Sequence, residues 1–415
     1  MGYQEGLSGL SGASSDLDVI GNNIANANTV GFKQGQAQFA DVYANTIAAA
    51  VGNQIGLGTR LTEVQQQFSQ GSITTTNQAL DVAINGNGFF QLSDNGANVY
   101  SRNGVFQLNN VGQIVNASGL QLMGYAANSS GVINTATTVP LTVPTADIAP
   151  SKTKNITAAF NLNSQDSTPA TATFSASDPT SYNTSTSVQV YDSLGGTHTV
   201  SLYFVKQSTG LWSVYGTSDN AAPVGTVPAS ASPGLISSNV QFDTSGNLVA
   251  GTGPFSITIP DGASTVAGAT QTLTLDLGKT TQYGAKDGVT NITQDGFTAG
   301  ELTNFTVGTD GTLTGNYSNG QTQALGQIVL ANFNNQNGLV NLGGNLFQQT
   351  TASGSAQIAA PGSTNHGTVQ GGAVESSNVD LTSELVNLIT AQRNYQANAQ
   401  TIKTQQTVDQ TLMQL

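Results

Sequence analysis

The sequence predicts a mainly β protein with discontinuous β-domains, an inner domain carrying an inserted outer β-domain, plus N- and C-terminal α-helices that form a coiled-coil-like stalk. Three observations predict it. Apolar residues recur every seven positions only at the two ends, alternation with turn residues fills the interior, and ten of the eleven prolines fall between Pro140 and Pro260.

At the N-terminus Tyr3, Leu10, Leu17 and Ile24 repeat at seven-residue spacing, with Leu7, Ala13, Ile20 and Ala27 beside them. At the C-terminus Leu381, Leu388, Tyr395 and Ile402 do the same, backed by Leu385, Ala391, Ala399 and Leu412. A helix cannot bury such a stripe against itself, so each end needs a partner: the other end, and then further copies of the chain. Residues 1–30 and 376–415 are therefore expected to form a terminal helical assembly domain. Its seam residues are Tyr3, Leu7, Leu10, Leu17, Ile20 and Ile24 on one helix, and Leu381, Leu385, Leu388, Tyr395, Ile402 and Leu412 on the other.

Residues 31–70 fit no period well. Phe32, Phe39, Val42 and Tyr43 suggest a short helical face, and Gly52, Gly56 and Gly58 then interrupt it, so an irregular, partly extended linker is expected. An inner β-domain is assigned to residues 71–145 and 291–375. Within it, Leu80–Leu92 alternates around Asn-Gly and Asp94-Asn95-Gly96 marks a second turn, both read as hairpin signals. Gln327–Phe333 reads as a buried strand. The proline-rich stretch, residues 146–290, is expected to be the inserted outer β-domain. Strands are predicted at 188–191, 199–205, 212–215 and 272–277, with Asp192–Gly196 as a turn and Pro140, Pro144 and Pro150 as the outward linker.

Composition narrows the function. Charged residues make up 8% of the chain, against about 25% in ordinary globular domains. Such a surface brings few charges to desolvate when neighbours cover it. The net charge of −13, from 23 acids against 10 Lys plus Arg, argues against nucleic acid, since phosphate neutralisation needs concentrated positive charge. No run approaches the roughly 18 apolar residues of a membrane span. With no cysteine, disulfides, thiolate metal sites and cysteine nucleophiles are excluded. The only histidines, His198 and His366, have no triad or metal-ligand spacing, and the Asp-Gly pairs lack calcium-loop spacing, so neither catalysis nor a metal or other cofactor is expected. Glu5 and the lack of a basic-then-apolar start lead us to expect an extracellular protein that leaves the cell without a cleaved signal peptide.

Two segments are more specific. Residues 17–33, LDVIGNNIANANTVGFK, resemble the N-terminal signature of bacterial flagellar rod and hook proteins; the motif residues are Asn22, Asn23, Asn26, Asn28, Gly31, Phe32 and Lys33. Residues from 375 on, ESSNVDLTSELVNLITAQRNYQANAQTIKT, resemble the C-terminal helix of that family. YSRNGVFQL at 100–108 and GLQLMGY at 119–125 resemble its inner β-domain. The resemblance implies a homo-polymer: a non-closing, head-to-tail stack of terminal helices in an axial tube. The large insert points to the hook branch, whose implied role is a flexible joint passing torque from rod to filament. A distal rod or other axial role, or a β-rich surface adhesin, is the alternative. The resemblance also implies rod, hook cap and hook-filament junction partners, and passage through the flagellar export apparatus. The four motif asparagines have two readings, as helix caps and as hydrogen-bonding groups between subunits.

Overall fold

The computed structural model describes residues 2–42, 56–144, 146–219, 222–224, 234–249, 253–261 and 270–413. It is mainly β, with one long helix at each end: α1, Gly2–Ala25, and α2, Leu381–Met413. Other helix among the described residues is limited to two three-residue 3-10 turns. The chain divides into two compact units. The first comprises residues 1–145, 304–315 and 322–415, and the second residues 146–303 and 316–321.

In the first unit an aromatic cluster anchors the β-structure. Phe68, Phe89, Phe333, Phe347 and Tyr100 meet edge to face, with ring centroids 4.8 to 5.9 Å apart, the arrangement that ring quadrupoles favour. The Asn95-Gly96 turn forms as expected: both residues have positive φ and join Phe89–Asp94 to Ala97–Ser101 as a two-residue hairpin. The alternation before it is not a hairpin. Val82–Asn85 pairs instead with Thr368–Gly371, so the Asn-Gly steps at 85–88 carry the chain from one sheet to another. The expected strand at 327–333 is two strand ends. Thr322–Ile328 pairs with Gln121–Ala126, and Leu330–Asn332 pairs with Phe89–Asp94 and Gln357–Ala359.

Residues 31–70 differ from the irregular linker expected of them. Strands β1, Gly35–Asp41, and β2, Thr59–Gln66, form an antiparallel ribbon; Tyr43, Gly52 and the rest of 43–55 lie outside the described residues. The ribbon was hidden by a bulge. Ala37 and Phe39, two apart, face Val64 and Leu61, three apart, because Thr62 has no partner across the ladder. A three-residue apolar spacing imitates a helix, and the period-two signal is lost.

The second unit holds two five-stranded sheets. One is built around Asn155–Asn163, flanked by Thr270–Asp276 and Gly288–Gln294; the other contains Thr184–Tyr191, Thr197–Ser208 and Leu211–Ser218. Residues of both sheets, including Ile156, Phe160, Leu202, Trp212 and Leu275, share one core. The unit runs past the return point expected at 290, since Gly288–Gln294 completes a ladder with Asn155–Asn163. Asp287-Gly288 resembles a linker in sequence but opens a strand. His198 lies here, its Nδ1 2.7 Å from Asp219 Oδ2 and its Nε2 3.5 Å from Asp192 Oδ2. Burial works against its charged form, yet bonding to Asp219 and Asp192 outweighs it and raises the histidine pKa. His366 bonds only backbone carbonyls, those of Gln357 and Ser363.

Candidate assembly site at the paired terminal helices

Asp380 caps α2 by accepting from the Thr382 and Ser383 amides. The two terminal helices pack on each other, but through small residues. A Cβ placed on Gly9 would sit 2.7 Å from Asn398 Oδ1, and one on Gly6 would sit 3.0 Å from Ile402 Cγ1, so a side chain at either turn would push on α2. The inward face of α2 carries Glu384, Ala391 and Asn398 at seven-residue spacing, with Leu388 and Ile402 beside them.

Two neutral clamps lace α1 to the ribbon. Ser8 Oγ donates to the Thr59 carbonyl and accepts from the Thr59 amide, both at 2.7 Å. Fifteen residues on, about 22 Å along the helix, the buried Asn23 side chain donates to the Gly35 carbonyl at 2.8 Å and accepts from its amide at 2.9 Å. Asn378 closes the base of the ribbon, accepting from the Gln34 amide and donating to the Gln67 carbonyl.

Below the helices lies a buried ion cluster. Glu375 Oε1 accepts from Lys33 Nζ at 2.7 Å and from the Gly71 amide at 2.9 Å, while Oε2 lies 3.3 Å from Arg102 Nη1. Lys33 also donates to the Ser69 carbonyl and Arg102 to the Gly86 carbonyl. All three side chains are 2% exposed or less. Two cations share one anion, so burial lowers the pKa of both Lys33 and Arg102 while Glu375 opposes it. Gly31 seals the cluster: its amide donates to the Glu375 carbonyl, its φ is +71°, and a Cβ there would lie 2.6 Å from the Asn103 nitrogen. Lys33, Arg102 and Glu375 come from three separate segments, 17–33, 100–108 and 375 onward. Their convergence makes this the root from which both helices leave the β-structure.

The whole chain aligns at 44% identity with the flagellar hook protein FlgE of Salmonella typhimurium strain LT2, covering 100% of both. The chain belongs to the flagellar hook protein family. The Escherichia coli K12 flagellar hook protein FlgE is 43% identical over 100% of each chain, and that of Treponema pallidum 33% identical over 99% of this chain and 98% of its own. Family models agree along the length: flagella basal body rod protein at 4–33, flagellar hook protein FlgE/F/G D1 domain at 83–159, flagellar basal body protein FlaE D2 domain at 161–297, and flagellar basal body rod FlgEFG protein C-terminal at 370–415.

Within this hook-family chain the expected seam residues have mixed fates. Ile20 is buried, and Leu10, Leu17, Ile24, Leu388 and Ile402 are half-buried. Tyr3, Leu7, Leu381, Leu385, Tyr395 and Leu412 stay exposed, as do Val386, Ile389 and Val408. The helices therefore meet on a face where Gly, Ala and Asn stand beside Ile402, and much of the stripe is left uncovered. The motif asparagines also divide. Asn26 Nδ2 donates to the Asn22 carbonyl and side chain, finishing α1; Asn23 is the ribbon clamp; Asn28 is exposed. Phe32 is half-buried. Sequence reasoning missed Arg102, Glu375, Ser8, Asn378 and Glu384 as site residues. The available signal was a Lys, an Arg and a Glu each inside a quoted motif of a chain with so few charges.

Proposed function

We propose that the chain is a structural subunit that polymerises with copies of itself into the flexible tubular hook of the bacterial flagellum, passing torque from rod to filament. One observation carries the reading. The paired helices are rooted firmly in the first unit, yet leave large apolar side chains facing solvent on both members, with Leu7 51% and Leu385 49% exposed. At about 25 cal/mol per Å2 such side chains favour association strongly when covered. Since the helix pair already has its internal face, the outer one is left for neighbouring subunits. Tyr3, Leu7, Leu381, Leu385, Tyr395 and Leu412 form that outer seam, Leu10, Leu17, Ile24 and Leu388 lie at its border, and Ile402 belongs to the internal face against Gly6.

The same reading puts the subunit outside the cell, delivered by the flagellar export apparatus, and in contact with rod, cap and hook-filament junction proteins at the ends of the polymer. The test is assembly of the full chain, followed by sedimentation and electron microscopy. Wild type is expected to form tubes. Leu7→Asp with Leu385→Asp is expected to remain monomeric with an unchanged melting profile of its β-structure. Tubes formed equally well by this variant would overturn the outer-seam assignment.

A further inference from the structure

A cavity of about 530 Å3 runs along the seam of α1, α2 and β1, with Asp16, Asn23, Gln34, Glu384, Asn387 and Asn394 in its wall and no Lys or Arg lining it. Glu384 is 1% exposed. Its Oε1 accepts from Gln34 Nε2, but Oε2 has no hydrogen-bond partner. The Asp16 carboxyl across the cavity is pushed up by burial and by Glu384. Buried carboxylate oxygens are normally paired, because leaving one bare forfeits its hydration. Two acids and one bare carboxylate oxygen, in a wall of uncharged amides, describe a receptor for a cation with several donors.

We propose that this cavity receives the Arg393 guanidinium of a second copy of the chain, an inference that rests on the polymer reading above. Lys33 and Arg102 are consumed by the ion cluster, and Arg60, Arg393 and Lys403 are the exposed Lys and Arg of the described first unit, none of them in an ion pair within the chain. Arg393 follows Glu384 by nine residues. At 100° per residue that is about half a turn around α2, and about 14 Å along it. Arg393 therefore points away from its own cavity at the level of Asn394, which lines the cavity's end. Lys403 is set about 100° around from Glu384 and a further 15 Å along, and Arg60 is on β2. A receptor on one face and its ligand on the opposite face of one helix make a head-to-tail contact that repeats without closing. The planar five-donor guanidinium suits two neighbouring carboxyl groups, one with a bare oxygen, better than an ammonium does.

The test uses full-length protein. Arg393→Glu is expected to raise the critical concentration for polymerisation at least about tenfold, with monomer melting unchanged, since a buried charge contact between partners is lost. Placement is read by cross-linking, since the chain has no cysteine of its own. Asn387→Cys in the cavity wall and Gln396→Cys, one turn beyond Arg393 on the same face, are expected to form disulfide dimers only when the two variants are mixed, polymerised and oxidised. Normal assembly by Arg393→Glu, an absent cross-link, or an equal defect in Lys403→Glu alone overturns the inference while leaving the hook reading intact. A wild-type chain that never polymerises overturns the hook reading itself.

Discussion

Replacing Glu375 with Gln changes one atom and unbalances the root of both helices. The side chain collects three donors, Lys33 Nζ, the Gly71 amide and Arg102 Nη1, in a site sealed from solvent. With the carboxylate gone, Lys33 and Arg102 remain as two buried cations. Removing one partner of a buried ion pair costs about 3–5 kcal/mol, a large share of the roughly 5–15 kcal/mol that holds a domain together. Lys33→Met acts in the opposite sense on charge. It leaves Arg102 and Glu375 as a balanced pair, and the Ser69 carbonyl keeps the hydrogen bond from Asn378 Nδ2, so its cost is expected to stay below about 2 kcal/mol. The ordering, Glu375→Gln well above Lys33→Met, is read by urea denaturation followed by far-UV circular dichroism. Trp212, the only tryptophan, lies in the second unit, so its fluorescence transition serves as an internal control. Alkaline pH supplies a second check. Lys33 has a folded pKa below its unfolded value near 10.4, so the unfolded state binds more protons and stability rises with pH in that range. The deficit of Glu375→Gln should accordingly narrow as pH rises towards about 10 and Lys33 sheds its proton. A Lys33→Met variant as unstable as Glu375→Gln would refute the reasoning.

Gly9→Leu is expected to drive α2 away from α1 at Asn398 and abolish tube formation in a sedimentation assay, with the β-structure melting as before. Asn23→Ala removes both hydrogen bonds to Gly35 in a buried place and should cost about 1–3 kcal/mol in the first unit's denaturation curve. The raised pKa of His198 adds stability that is full below the unfolded value near pH 6.5 and is lost as pH climbs through the folded value. Trp212-monitored melting of wild type should therefore fall as pH rises above about 6.5, and His198→Gln should lack that step.

The parts legible in the sequence are those governed by short-range rules. The alternation at 272–277 became the strand Thr270–Asp276, and Asp192–Gly196 became a turn in which the Asp192 side chain accepts from the Leu194 and Gly196 amides. The terminal helices declared themselves through their heptads. Their contact face did so only in part: Ile20, Leu388 and Ile402 of the stripe turn inward beside Gly6, Gly9, Ala391 and Asn398, whereas Leu7, Leu381 and Leu385 of the same stripe stay exposed. The ion cluster was silent. Lys33 and Glu375 are 342 positions apart, and no local pattern links a lysine to a carboxylate at that distance.

The clamps at Ser8 and Asn23 consist of hydroxyl, amide and peptide groups, none bearing a formal charge. Dissolved ions screen attraction between exposed charges and leave such dipolar contacts almost untouched. The grip of the N-terminal helix on its ribbon should therefore be the same in fresh water as in brine, and the few charges that do matter at its root are shut away from both.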